Sequence, residues 1–381
     1  MHHRGVIIVA CAGWLAGSSA IGAQAARGWT LDARPQLILG GEQESTGVLE
    51  TVVGATRLRD GSILVGDHGE QALRLYSATG ALLRTFGRKG GGPGEITYLV
   101  RMFRCGDSLY TFDADNGYRL SVFTLDGRYV RASRFTGPGG QGPYQSACNA
   151  AGMFAHLGWE NRRDMRPGAF RSLVPVWLSR ADSGVVRLVD SIPGSERWGT
   201  TRDGKLTGTR PMPLGKQPVL GIGRSHLYVG SADRYTIQAF DLQGRPASAL
   251  QRPGEGARVS RADVEALIAQ EAAGRSAEIR DRIEKAYAEI ELPQSLPAYT
   301  ALVTDADDLV WVRAYARPGS PHANWTVFAS NGRMVTEIRV PADLEIYEIG
   351  KDYVLGRYLS PDVGTPEVRL YRLVRGQVAR P

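Results

Sequence analysis

Residues able to do chemistry are few and scattered in this 381-residue chain. Beyond Ala25 the histidines are His68, His156, His226 and His322, with no HExxH or other paired zinc spacing. There is no GxSxG, and Ser225-His226 in "GRSHL" reads as a turn. Gly137, Gly139 and Gly142 fit GxGxxG, but Pro138, Pro143 and the strand pattern downstream leave no helix to meet a pyrophosphate. Gly199–Lys205 fits GxxxxGK, yet Leu206 stands where Ser or Thr would hold magnesium. Both read as turn-rich loops. "DADNG" (Asp113–Gly117) lacks the downstream Glu of a calcium loop. Asp67, Asp113 and Asp233 end strand-like runs in three repeats, and Glu95 and Asn149 could add oxygen donors. Such residues more commonly satisfy backbone N–H groups at strand ends. No cofactor is therefore expected, with calcium or zinc on these carboxylates as the alternative.

The elements that must position these residues are short strands. Val52–Arg57, Ser62–Asp67, Leu73–Tyr76 and Leu82–Phe86 are rich in Val, Ile, Leu, Tyr and Phe, and "RDG", "HGEQ" and "SATG" separate them. Four antiparallel strands with a Gly-rich exit make one blade of a β-propeller. Similar units follow over Tyr98–Phe135, Tyr144–Pro193, Gln217–Arg252 and Ala298–Val340. The sixth, Asp343–Leu373, has three strands, at 344–349, 353–358 and 367–373. The orphan strand Gln36–Leu39 would supply its fourth and remove two open sheet edges. Ser260 with Asp263 forms a capping-box pattern, and apolar residues at helical spacing predict helices over 261–273 and 277–290. The fold expected is all-β. It is a six-bladed β-propeller of four-stranded antiparallel blades, closed by the N-terminal strand, with a two-helix insertion (about 258–292) between blades four and five.

The segment "ILVGDHGEQALRLYSATGALLRTFGRKGGGPGE" resembles the secreted six-bladed propellers related to NHL repeats. The resemblance is close over Asp60–Glu95 and recognisable in 106–128 and 226–245, without the usual Asn-Arg after the Asp of the second strand. It implies a propeller that serves as an interaction platform, and it implies no activity. The function expected is an exported, non-catalytic binding or scaffolding propeller. The alternative is a metal-dependent lactonase or esterase-like hydrolase, since lactonases of the gluconolactonase and regucalcin kind hold an axial metal with carboxylates from several blades.

In such a blade the one–two and three–four turns lie on one face, and the two–three loops and blade connections on the other. The first set is short ("RDG", "SATG", "CGDS", "TLDG", "DLQG", "SNG"). The long segments all fall in the second: Gly87–Glu95, Gly137–Pro143, Gly158–Ala169, Gly194–Lys216, the helices and Ala316–Asn324. Long loops on a rigid scaffold are where binding concentrates. This face carries Arg88, Lys89, Arg162, Arg163, Arg166, Arg197, Arg202 and Arg317, with Trp159, Trp198 and Tyr235 beside them. Guanidinium forks beside aromatic rings suit carboxylate, sulfate or phosphate groups. The partner expected is an anionic small molecule, glycan or protein. The alternative is that these arginines are solvated or pair with Glu160, Asp164, Glu196 and Asp203.

The formal net charge of +7 favours anionic partners without naming one. Arg4, the apolar Gly5–Ala16 and Ala23-Gln24-Ala25 read as a signal peptide over 1–25, leaving one propeller domain over 26–381, secreted or periplasmic. Ile8-Val9-Ala10-Cys11 is a rival lipobox, with an unusually short apolar region before Cys11. No other apolar run is long enough to span a membrane, no nucleic-acid partner is expected, and the protein is read as a monomer. Cys105 and Cys148 both sit where a first strand turns into a second, in neighbouring blades. In an oxidising compartment they would form a disulfide if their Cα atoms lie within about 7 Å, and otherwise remain free thiols.

Overall fold

Turn chemistry repeated along the chain sets the architecture. The computed structural model describes residues 28–41, 47–115, 117–182, 184, 186–253, 256–359 and 364–376. The first four-stranded sheet runs through Val52–Arg57, Ile63–Asp67, Ala72–Tyr76 and Leu82–Phe86. Its first turn holds because Asp60 Oδ1 accepts the Ser62 N–H at 3.0 Å and Gly61 takes a left-handed φ of 88°. In its last turn Ser77 Oγ accepts the Ala81 N–H at 3.0 Å. Asn149, Asp241 and Asp305 do the same work in later repeats, each accepting two backbone N–H groups.

The described residues form 28 strands and two α-helices. The strands make seven antiparallel sheets, five of four strands, one of five and one of three. The first strands of the larger sheets touch in order: Val52–Arg57, Leu99–Cys105, Gln145–Cys148, Val219–Ile222, Tyr299–Thr304 and Leu344–Ile349. Leu344–Ile349 then touches Val52–Arg57 again. This is a nearly all-β architecture of propeller type. The five-stranded sheet joins the two ends of the chain: Thr30–Leu31 and Leu37–Gly40 both pair with Pro366–Val374, Leu37 lying opposite Leu370. The N-terminal strand thereby covers the edge of the last sheet.

The core lies between neighbouring sheets. Trp311, Trp325, Val340, Ile346 and Tyr371 fill the space between the fifth and sixth, and Trp29 packs on Trp311 at 5.7 Å between ring centres. Gly54 is required where the first two sheets approach, since a Cβ there would stand 2.6 Å from the Met102 carbonyl oxygen. At the periphery, arginines on outer strands donate to turn carbonyls of the next sheet. Arg84 reaches Asp126 O at 3.0 Å, Arg131 reaches Ala181 O at 2.8 Å, and Arg187 reaches Gln243 O at 3.2 Å.

Two expected loops have more structure than their sequences suggest. Gly158–Ala169 and Gly194–Lys216 contribute Gly168–Phe170, Arg197–Arg202 and Lys205–Pro211, which pair as the three-stranded side sheet. Asp203 and Gly204 close its hairpin, both with positive φ, the geometry of a two-residue primed turn. The helices α1 (Arg261–Ala272) and α2 (Ala277–Ala288) follow the fourth sheet, and the Ser260–Asp263 capping box forms. The Arg210 guanidinium donates to Ala286 O at 2.8 Å, tying the side sheet to the last turn of α2, where cations are favoured.

Candidate functional site

The inner strands enclose a central cavity of about 910 Å³. Each of the six contributes to its lining, through residues such as Thr56, Arg101, Gln145, Leu220, Thr300 and Tyr347. One end lies at the starts of these strands and the other at their first turns. The turn end holds Glu348, whose carboxylate accepts hydrogen bonds from Thr56 Oγ1 and Tyr353 OH. Burial pushes the Glu348 carboxyl up, against the lowering effect of those two donors. Arg57 lies over the Tyr353 ring at 4.8 Å, and Arg104 donates to Arg57 O at 2.8 Å. Towards the opposite end, Tyr347 OH donates to Val52 O at 2.9 Å, and burial raises its phenol. Arg313 lines the cavity there with its Nη1 on Thr300 Oγ1 at 3.1 Å and Nη2 on Ala342 O at 2.8 Å.

None of the eleven residues of the expected ligand-binding set belongs to this lining. Tyr144 at the cavity edge meets the half-exposed Trp159 edge-on at 4.9 Å, which brings that one aromatic to the rim. Arg88 is paired with Glu95 at 2.7 Å, Arg197 hydrogen-bonds Thr209, and Arg317 is ion-paired with the helix-capping Asp263. Tyr235 is a core residue, 8% exposed and edge-on to Tyr299 at 5.6 Å, so its ring does not present a face to a ligand. Trp198 lies in the side sheet opposite Arg210. Lys89, Arg162, Arg163, Arg166 and Arg202 are exposed and make no ion pair among the described residues. Arg166 lies over the Phe170 ring at 5.8 Å. Of this set, Arg162, Arg163, Arg166 and Arg202 lie in or beside the segments that form the side sheet, outside the lining of the central cavity.

The three aspartates do not converge. Asp67 accepts the N–H groups of Glu50, Thr51 and Gly69 at 3.0–3.2 Å and faces Arg74. Asp113 accepts those of Thr97 and Tyr98 and pairs with Arg119 at 2.8 Å. Asp233 pairs with Arg171 at 2.7 Å and accepts from Ser231. Each carboxylate is taken up by the strand entry or loop it braces. No cluster of three His, Cys, Asp or Glu side chains suited to a metal occurs among the described residues. Cys105 and Cys148 are joined by a disulfide, with Cα atoms 5.8 Å apart, at the turn end of the second and third inner strands.

Sequence reasoning missed the cavity residues because they come from six separate repeats and meet only when the sheets close on one another. One signal was present. Arg313 interrupts the otherwise apolar run "LVWVRAY", and a charge in such a strand needs a partner or a polar space.

No established protein family and no curated protein matches this sequence. Among solved structures the chain is similar to a member of the DUF4221 family from Bacteroides vulgatus, at 11% identity and TM-score 0.52, over 92% of this chain and 99% of that one. It is also similar to a luciferin-regenerating enzyme, at 8% identity and TM-score 0.45, over 90% and 95% of the two chains. A third similarity is to regucalcin, a calcium-binding protein from Agrobacterium tumefaciens, at 11% identity and TM-score 0.39, over 93% and 98%. The first of these bears on the fold, and none bears on activity. No helix among the described residues is long and apolar enough to cross a membrane.

Proposed function

We propose that the chain is a six-bladed β-propeller acting as an exported, non-catalytic binding protein, with its ligand in the axial cavity. The observation that carries this reading is the cavity of about 910 Å³, lined by the inner strand of every larger sheet. Its size falls within the roughly 300–1,000 Å³ of ordinary small-molecule sites. Its wall mixes aromatic rings with a few fixed polar groups, as such sites do. The exposed arginines of the side sheet serve a second purpose, raising the local concentration of anions near the protein. Hydrolysis at a metal held by Asp67, Asp113 and Asp233 draws no support, since those carboxylates already carry backbone and arginine partners.

The test is a small-molecule screen by thermal shift, repeated on Gln217→Trp. Gln217 is exposed and lines the cavity, so the indole obstructs the space without disturbing the core. Ligands that raise the melting temperature of the wild type should lose their effect. Ligands that still bind Gln217→Trp but fail with Arg162, Arg163 and Arg166 changed to Ala would move the function to the outer basic surface.

A further inference from the structure

Arg313 and Trp325 are cross-strand partners on the second and third strands of the fifth sheet, and both line the axial cavity. Trp325 is 1% exposed, and its indole N–H has no hydrogen-bond partner. An indole nitrogen can only donate, so an acceptor must come from outside the described protein groups or the N–H stays unsatisfied at a real cost. The Arg313 guanidinium uses two N–H bonds on Thr300 and Ala342, and its Nε–H is buried without a partner. No carboxylate among the described residues lies within ion-pair distance of it. Burial lowers the Arg313 pKa, and the charge of Asp343, which also lines the cavity, opposes that shift. Arg101 lines the cavity from the second sheet, exposed and likewise without an ion pair among the described residues.

Two other tryptophans, Trp29 and Trp177, also bury unpaired N–H groups, but neither lines the cavity. Among the described residues lining the cavity, the fifth sheet is where an unpartnered indole N–H and an unpartnered guanidinium Nε–H stand on facing strands, with Ala342 and Asp343 lining the cavity beside them. A guanidinium fork with an adjacent N–H matches two oxygens of one planar or tetrahedral anion.

We propose that Arg313 and Trp325 form an oxyanion-binding subsite in the axial cavity, taking the carboxylate or phosphate of a small organic ligand. Arg101 adds positive potential from the facing wall. This rests on the axial-cavity reading and adds to it the chemical class of the ligand.

The experiment is calorimetric titration with glucuronate, adipate and glucose 6-phosphate, with methyl glucoside as the neutral control. Proteins compared are the wild type, Arg313→Gln, Trp325→Phe and Arg101→Gln. Trp325→Phe removes the donor and keeps an aromatic filler, and Arg101 is exposed, so these two remain informative if Arg313→Gln fails to fold. At least one anion should bind the wild type, and each folded variant should bind it about 10- to 100-fold more weakly. Preference for glucuronate and adipate over glucose 6-phosphate, or the reverse, identifies the carboxylate or the phosphate as the source. No binding by any of the anions overturns the proposal, as does wild-type affinity in both Trp325→Phe and Arg101→Gln. Methyl glucoside binding that Gln217→Trp blocks and Arg313→Gln leaves unchanged would overturn the oxyanion assignment while the axial-cavity reading stands. Anion binding that Gln217→Trp leaves intact would overturn both.

Discussion

Glu348 on the last sheet accepts a hydrogen bond from Thr56 on the first, across 292 residues of sequence. Beside it, Tyr347 reaches Val52 O, so the contact between the first and last inner strands is made by polar side chains as well as by packing. Similar inner links join other neighbouring sheets, Arg104 to Arg57 O, Asn149 to Gly223 O and Thr304 to Ile222 O, and outer-strand arginines add peripheral links at three junctions. Glu348→Ala should leave both Thr56 and Tyr353 without their acceptor and cost about 1–3 kcal/mol. Urea unfolding of the variant should show a lower midpoint. An unchanged midpoint would mean that the carboxyl contributes nothing net.

A buried histidine should make stability depend on pH. His156 is fully buried, with its ring nitrogens against Ser146 Oγ at 2.8 Å and Ser179 Oγ at 2.9 Å. Burial lowers its pKa from 6.5 to about 3. The unfolded chain therefore binds the proton more readily than the folded one between those two values. Stability from this residue is present above pH 6.5 and is lost as pH falls from there towards 3, with a slope of at most about 1.4 kcal/mol per pH unit. Denaturation midpoints across this range should fall with acid in the wild type, and less steeply in His156→Gln.

The disulfide closes a 43-residue separation between Cys105 and Cys148. Replacing both with Ser should remove about 4 kcal/mol in the chain-entropy picture. Thiol titration of the denatured, unreduced protein should find neither cysteine free. Two free thiols would contradict the bridge.

Arg317 should matter to the helices more than to any ligand. Its guanidinium pairs with Asp263, the buried acid that completes the α1 capping box. Arg317→Ala is expected to lower the free energy of local opening in α1 by about 1–2 kcal/mol. Hydrogen exchange over 261–272 would register it, with the sheets unaffected.

The export expectation falls on residues 1–25, outside the described ones. Intact mass of the exported protein should correspond to a chain beginning near Ala26. A lipid adduct on Cys11 would assign the rival signal class.

Most of the sheet framework could be read from the sequence because its turns advertise themselves. "RDGS", "SATG" and "DLQG" place a side-chain acceptor before a glycine, and the structure uses them as Asx- and Ser-type turns. The sixth repeat was legible in the same way, down to the pairing of an N-terminal strand with Pro366–Val374. The side sheet was not. "RWGTTRDGKLTGTRP" alternates threonine, glycine and basic residues, so neither face carries the apolar signal that marks a half-buried strand. The burial of Tyr235 has no local signal, since it follows the polar "SADR" directly, yet its ring turns inward onto Tyr299. The cavity was illegible for a different reason. Arg101, Arg313 and Glu348 are far apart in sequence, and no local pattern states that they share one space.

Leu37 and Leu370, paired across the last sheet, also set an order of events during synthesis. The partner of one of the earliest strands is among the last to be made. Until Pro366–Val374 emerges, Leu37–Gly40 has no strand to pair with, and the last sheet lacks the strand that joins it to the N-terminal segment. Contacts of such separation slow folding, because a long loop must close before they repay its entropy. A nascent chain would therefore expose apolar sheet edges for most of its synthesis, so truncation before residue 366 should favour aggregation over a smaller ring.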